Sequence, residues 1–123
     1  FAAAAEGGWP SAQYNLALMY ERGIGAAADA SRAVRWYERA VESGIDAARR
    51  QLSYLHAVGG PGLEPDPIRA LMWLDIAAEA GLEGKSEYRD GLTARLSAAD
   101  LAEAGALGEE RLERLQGSAP APR

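Results

Sequence analysis

Residues 12–44 read AQYNLALMYERGIGAAADASRAVRWYERAVESG, and residues 48–81 read ARRQLSYLHAVGGPGLEPDPIRALMWLDIAAEAG. Displacing the chain on itself by 36 residues superposes Ala12, Leu16, Tyr20 and Gly23 on Ala48, Leu52, His56 and Gly59. Beyond the glycine turn the displacement becomes 37, and Asp29, Ala33, Trp36, Ala40, Glu42 and Gly44 fall on Asp66, Ala70, Trp73, Ala77, Glu79 and Gly81. Self-similarity at a fixed period of this length marks one supersecondary unit used repeatedly. The first residues join the series, because Phe1, Ala4, Ala5, Glu6 and Gly8 stand 36 positions before Tyr37, Ala40, Val41, Glu42 and Gly44. Residues 1–10 therefore read as the end of a preceding repeat, with full units over 11–46 and 47–84.

Each unit reads as two helices around a glycine turn. Ala12, Leu16, Met19 and Tyr20 recur at the three-and-four spacing of one helical face, and Gly23 and Gly25 then stop the helix. The second helix opens at Asp29 or Asp66, whose carboxylates suit an N-cap, and Pro67 occupies a first-turn position where its missing amide costs nothing. Its apolar face is Ala33, Trp36, Tyr37 and Ala40 in one unit and Ala70, Trp73, Leu74 and Ala77 in the next. Gly44 and Gly81 close these helices by accepting a left-handed cap conformation. Alanine at matched sites lets helix backbones approach while Trp and Tyr fill the spaces beside them. A single pair cannot bury both faces, so stacking completes the core.

The run Ala12, Leu16, Tyr20, Gly23, Gly25, Asp29, Ala33, Trp36, Tyr37, Ala40, Gly44 resembles the Sel-1-like repeat, a relative of the tetratricopeptide repeat. That resemblance implies an all-α fold, a right-handed superhelical α/α solenoid of paired antiparallel helices. The second unit departs from the pattern at His56 in place of Tyr, at Leu74 in place of the second aromatic, and in the longer turn Gly59, Gly60, Pro61, Gly62. Residues 85–116 lack the turn and the Trp but stay helical in pattern: Tyr88, Leu92 and Leu96 step by four, and Ser97 with Asp100 opens a further helix carrying Leu101, Leu112 and Leu115. This segment resembles the degenerate capping helix pair that ends such arrays. Glu109, Glu110, Arg111, Glu113 and Arg114 supply the polar outer face that a terminal repeat needs. Residues 117–123, small and proline-containing, read as a disordered tail.

Composition bounds the chemistry. The chain has 48% hydrophobic residues, rich in Ala, and carries 13 Lys+Arg against 18 Asp+Glu for a formal net charge of −5. It lacks the concentrated basic patch that phosphate neutralisation demands, so nucleic acid is not an expected partner. The absence of cysteine excludes a disulfide framework and any thiolate nucleophile or ligand. No stretch of about 18 apolar residues is available to span a bilayer. His56, the only histidine, occupies a core tyrosine position and has no second His, Cys or paired carboxylates at ligand spacing, so neither a metal site nor a cofactor is expected. Gly59–Gly62 lacks the Lys-Ser/Thr of a phosphate loop and follows a helix, which makes it a turn. Trp36 and Trp73 recur at one repeat position, the mark of inter-helix packing.

What remains is a surface, and no catalytic residue is assigned. In tetratricopeptide-like stacks the first helix of each pair lines the concave side, and the resemblance implies that partners dock there. Counting from Leu16 and Tyr20, the residues facing that groove are Tyr14, Leu18, Glu21 and Arg22, with Arg50 and Tyr54 one repeat on. Tyr and Arg dominate binding hot spots. The opposing reading has Tyr14 and Leu18 simply packing on the neighbouring repeat. The expected function is a protein-protein interaction scaffold or adaptor, an accessory subunit that binds another protein or peptide. The alternatives implied by the resemblance are a periplasmic regulator or inhibitor of a signalling partner and, third, a cell-wall-related hydrolase. The Ala, Arg and Gly bias points to a high-GC bacterial source, for which the family favours periplasm or envelope over cytoplasm.

Overall fold

A computed structural model of the chain describes residues 7–82 and 86–117. The expectations for a preceding repeat end over residues 1–6 and for a tail over 118–123 lie outside the described residues. Among the described residues six helices follow in order: α1 (Pro10–Arg22), α2 (Ala30–Glu42), α3 (Ala47–Val58), α4 (Pro67–Glu79), α5 (Ser86–Thr93) and α6 (Ala98–Gly117). They form an all-α solenoid in which α1 packs on α2, α3 on α4, and α2 on α3 between the pairs.

The helix boundaries follow from local chemistry. Asp29 accepts a hydrogen bond from the Arg32 amide at 3.1 Å, and Asp66 accepts from the Arg69 amide at the same distance, so both second helices start on a side-chain cap. Gly23 ends α1 at φ 70°, in the left-handed region, and its amide donates to the Met19 carbonyl. The two turns are tied off alike: the Asp29 amide donates to the Tyr20 carbonyl at 2.9 Å, and the Asp66 amide donates to the His56 carbonyl at 2.7 Å. The extra residue of the second turn is absorbed in a small loop where Gly60 and Leu63 exchange two backbone hydrogen bonds of 2.9 Å. Gly59 makes that loop possible. Its φ is +73°, and a Cβ there would lie 2.8 Å from the Leu63 carbonyl oxygen.

The alanine positions do what their spacing implies. Ala33, Ala40, Ala48, Ala70 and Ala77 are fully buried where helices meet, and Tyr37, Leu52 and Trp73 fill the space between them. One apolar cluster runs from Ala17 of α1 to Ile76 of α4; a second joins Ala70, Leu71 and Leu74 to Leu92 of α5 and Ala104 of α6. Truncating a side chain such as Leu52 would cost about 2–5 kcal/mol through lost transfer energy and the cavity left behind. Polar atoms inside are mostly matched: the buried Ser53 hydroxyl bonds the Ala70 carbonyl at 2.6 Å and the Tyr88 hydroxyl at 2.9 Å, pinning α3, α4 and α5 together.

The terminal segment departs from the sequence expectation in two ways. Ser97 and Asp100 do form a reciprocal cap, with bonds of 3.1 and 3.2 Å. Leu101, however, is 37% exposed, and the positions of α6 that bury fully are Ala104 and Gly108. Helical spacing defines a face, but small residues give the closest approach to α4, and that rotates Leu101 outward. Arg111 does not belong to the polar outer face. Its guanidinium lies 5.0 Å over the Trp73 ring and 3.7 Å from the Glu38 carboxylate, because α6 packs chiefly along α4 and reaches α2. Trp36 is only half-buried, whereas Trp73 at the same repeat position is 1% exposed beneath Arg111.

Candidate functional site

The exposed row of α3 is Ala47, Arg50, Tyr54 and Val58, four residues apart or nearly so, because the buried set Ala48, Leu52, Leu55 and His56 turns it away from the core. One repeat earlier the same positions of α1 are Ser11, Tyr14, Leu18 and Arg22. The two rows differ in commitment. The Tyr14 ring meets the Tyr37 ring edge-on at 5.6 Å, and its hydroxyl is 3.5 Å from the Gln51 amide nitrogen, at the outer limit of a hydrogen bond. Leu18 is half-buried against the main cluster. Tyr14 thus packs within its own repeat and reaches Gln51 of the next, Leu18 packs on the shared core, and both keep part of their surface open.

Glu21 and Tyr54 are brought to one place. Together with Ala30, Leu55, Val58 and the turn Gly59–Pro61 they line a cleft of about 250 Å³. The Glu21 carboxylate accepts a hydrogen bond from the Tyr37 hydroxyl at 2.5 Å, so the acid is held at the cleft wall by a fully buried residue. Burial first, and then the adjacent carboxylate, raise the Tyr37 phenol well above its ordinary pKa, which keeps it the donor. The Tyr54 ring stands edge-on to Tyr88 at 4.7 Å and is 36% exposed. Val58 is 76% exposed and Ile24, in the first turn, 55%. Arg22 and Arg50 are exposed and do not line the cleft.

Val58 and the Gly59–Pro61 wall were missed by sequence reasoning. Val58 had a signal, since it follows Tyr54 by one helical turn on the same exposed row. The wall had none, because it depends on how the longer turn folds back: the Pro61 carbonyl accepts from the Ala30 amide at 2.8 Å, joining the turn to the start of α2.

A second cleft, about 270 Å³, is lined by Tyr20, Arg32, Arg35, Trp36 and Arg39. Arg39 lies 4.7 Å over the Trp36 ring and Arg32 5.7 Å over the Tyr20 ring, so aromatic faces satisfy part of this positive charge. His56 is buried, its Nδ1 has no hydrogen-bond partner among the described residues, and burial lowers its pKa. That places it as a neutral core side chain at neutral pH. Among the described residues no group of His, Asp or Glu is arranged to hold a metal ion, and no helix is long and apolar enough to cross a membrane.

The repeat geometry is matched by a known family. The model of the Sel1 repeat fits residues 10–45 and 46–82, more than half of the chain. The chain belongs to the Sel1 repeat family. Its Sel1 repeats share the fold of c5321, a protective antigen present in uropathogenic Escherichia coli strains and displaying an SLR fold. The TM-score is 0.76 at 30% identity, over 98% of this chain and 27% of that one. They are also similar to chitin synthase regulatory factor 3 of Schizosaccharomyces pombe, 47% identical over 45 residues, covering 37% of this chain and 5% of that protein. This chain thus spans a small part of each relative. Sel1 repeat proteins generally serve as protein-interaction scaffolds, and the fold is typically non-catalytic.

Proposed function

We propose that this chain is a protein-protein interaction scaffold or adaptor that holds a peptide or helical segment of a partner along the exposed rows of α1 and α3. Tyr14, Leu18, Glu21, Arg22, Arg50 and Tyr54 form the contact set, joined by Val58. The observation that carries this reading is the Glu21–Tyr54 cleft, an apolar recess with one anchored carboxylate, lined also by the exposed Val58. Recesses of this kind receive the anchor side chain of a partner, and the surrounding polar residues exclude water from it. A solenoid contributes extended area and fixed spacing to such a contact, and no reacting group is needed.

A second reading is regulatory: binding switches a partner's activity instead of tethering it. It is supported by the similarity of 45 residues to a protein named as a regulatory factor. The two share one surface and one first test. A photo-crosslinking amino acid at position 58, in the full-length protein in its native source, should capture a defined partner, whereas the same group at the exposed position 103 should not. Equal capture at both positions would count against the groove.

A further inference from the structure

Arg32, Arg35 and Arg39 run along one face of α2 at spacings of three and four residues, with Trp36 beside them. Together with Tyr20 of α1 they line the cleft of about 270 Å³. All three arginines are exposed, on a chain whose 18 acids outnumber its 13 basic residues. Arg32 is answered by Asp29 at 3.4 Å. Arg35 and Arg39 have no carboxylate partner among the described residues. The nearest acids in sequence, Glu38 and Glu42, face α6 instead, with Glu38 3.7 Å from Arg111.

The second repeat fills the same positions with different chemistry. Arg35, Trp36 and Arg39 stand one repeat before Met72, Trp73 and Ile76. Those three are buried, and Leu107, Leu112 and Leu115 of α6 pack against their cluster. On α2 the residues flanking the tryptophan are cationic, and Trp36 is only half-buried. An apolar helix laid on this face would bury two unpaired charges, whereas a carboxylate would pair with them. The rings also fix how the charges are presented: Arg39 lies 4.7 Å over Trp36 and Arg32 5.7 Å over Tyr20. A guanidinium held by its flat face keeps its N–H donors at the edge, where one carboxylate can take two of them. That ordering is in place before a ligand arrives, which lowers the cost of binding.

We infer that the α2 cleft binds an acidic, extended segment of a partner protein, whose carboxylates at alternate positions pair with Arg35 and Arg39. These arginines are about 6 Å apart along the helix axis. Alternate residues of an extended chain stand about 6.6 Å apart on one side, which matches that spacing. A nucleic acid is disfavoured, because three arginines on a chain of net charge −5 do not make the continuous basic surface that a polyanion requires. The cleft shares no residue with the Glu21–Tyr54 cleft, so its failure would leave the proposal for the α1–α3 face standing.

The probe is a fluorescent heptapeptide with glutamates at alternate positions and serines between them, titrated against the full chain by anisotropy. The indole N–H signal of Trp36 is followed by NMR in the same titration. The peptide should bind and shift the Trp36 signal while leaving that of the buried Trp73 in place, and its glutamine counterpart should do neither. R35E/R39E should bind at least about tenfold more weakly than the unsubstituted chain. R35K/R39K keeps the charge but loses the flat two-point donor, and should bind about fivefold more weakly. R50E, a charge change on the exposed row of α3, should leave binding nearly unchanged. Absence of binding, full-strength binding by R35K/R39K, or an equal loss in R50E would overturn the proposal, the last two by reducing the cleft to diffuse charge attraction. Inorganic sulfate that shifts Trp36 equally and displaces the peptide at equal concentration would also overturn it, in favour of a small-anion site. Should R35E/R39E lose its helical circular dichroism, the glutamine peptide and R35K/R39K decide.

Discussion

The hydroxyl of Tyr37, buried on α2, donates a hydrogen bond to the carboxylate of Glu21 at the carboxy-terminal end of α1, 16 positions earlier. Tyr37 belongs to the core and Glu21 to the wall of the Glu21–Tyr54 cleft, so one bond couples stacking to the candidate binding face. Tyr37→Phe keeps the ring and removes this bond to a charged group, and should cost about 1.5 kcal/mol in urea denaturation. A loss within about 0.3 kcal/mol of zero would show that water replaces the hydroxyl freely.

The caps at Asp29 and Asp66 are chemical duplicates in successive repeats, each accepting from an amide three residues on at 3.1 Å. Asp29→Ala and Asp66→Ala should each lower stability by about 1 kcal/mol. Distant sites without shared partners behave additively, so the double variant should lose about 2 kcal/mol. Equilibrium unfolding of the three variants checks this. A double variant no weaker than either single one would mean that the two turns act as one unit.

Acid should weaken the fold through His56. Burial lowers its pKa below the ordinary 6.5, so the folded state holds a neutral ring while the unfolded chain takes up a proton more readily. The stability this contributes is fully present above 6.5 and is lost as pH falls through the lower folded value. His56→Tyr, which installs the residue found at the equivalent position Tyr20, should flatten that part of the profile. Urea midpoints across the window, with both proteins losing the same amount on acidification, would contradict the assignment.

The two repeats were legible because alanine, tryptophan and glycine sit where backbones must approach, rings must fill and chains must turn. Those requirements recur with the period and leave a visible register. The seat of α6 was not legible. The spacing of Leu101, Leu112 and Leu115 announces a helix face, but which neighbour it meets depends on Ala104 and Gly108, whose smallness carries no directional mark. The same cause explains why Trp36 and Trp73, identical in register, differ in burial: Arg111 of α6 covers only the second. Of the site, Glu21 and Tyr54 were readable from helical counting. The Gly59–Pro61 wall was not, because the Gly60–Leu63 loop shapes it through backbone hydrogen bonds available to many sequences.

Quantitative affinity capture from the native source reads out whether the α1–α3 face holds a protein partner. The bait pair is the unsubstituted chain and R50E/Y54A/V58E, whose three positions are exposed on α3 and leave the core residues in place. Loss of interface anchors of hot-spot rank costs about 2 kcal/mol or more, so binding of the principal partner should fall by about 30-fold or more, while the variant keeps its helical circular dichroism and a cooperative unfolding transition lowered by loss of the Tyr54–Tyr88 ring contact. A partner retained at full level by the folded triple variant would mean that it binds elsewhere than on the α1–α3 face.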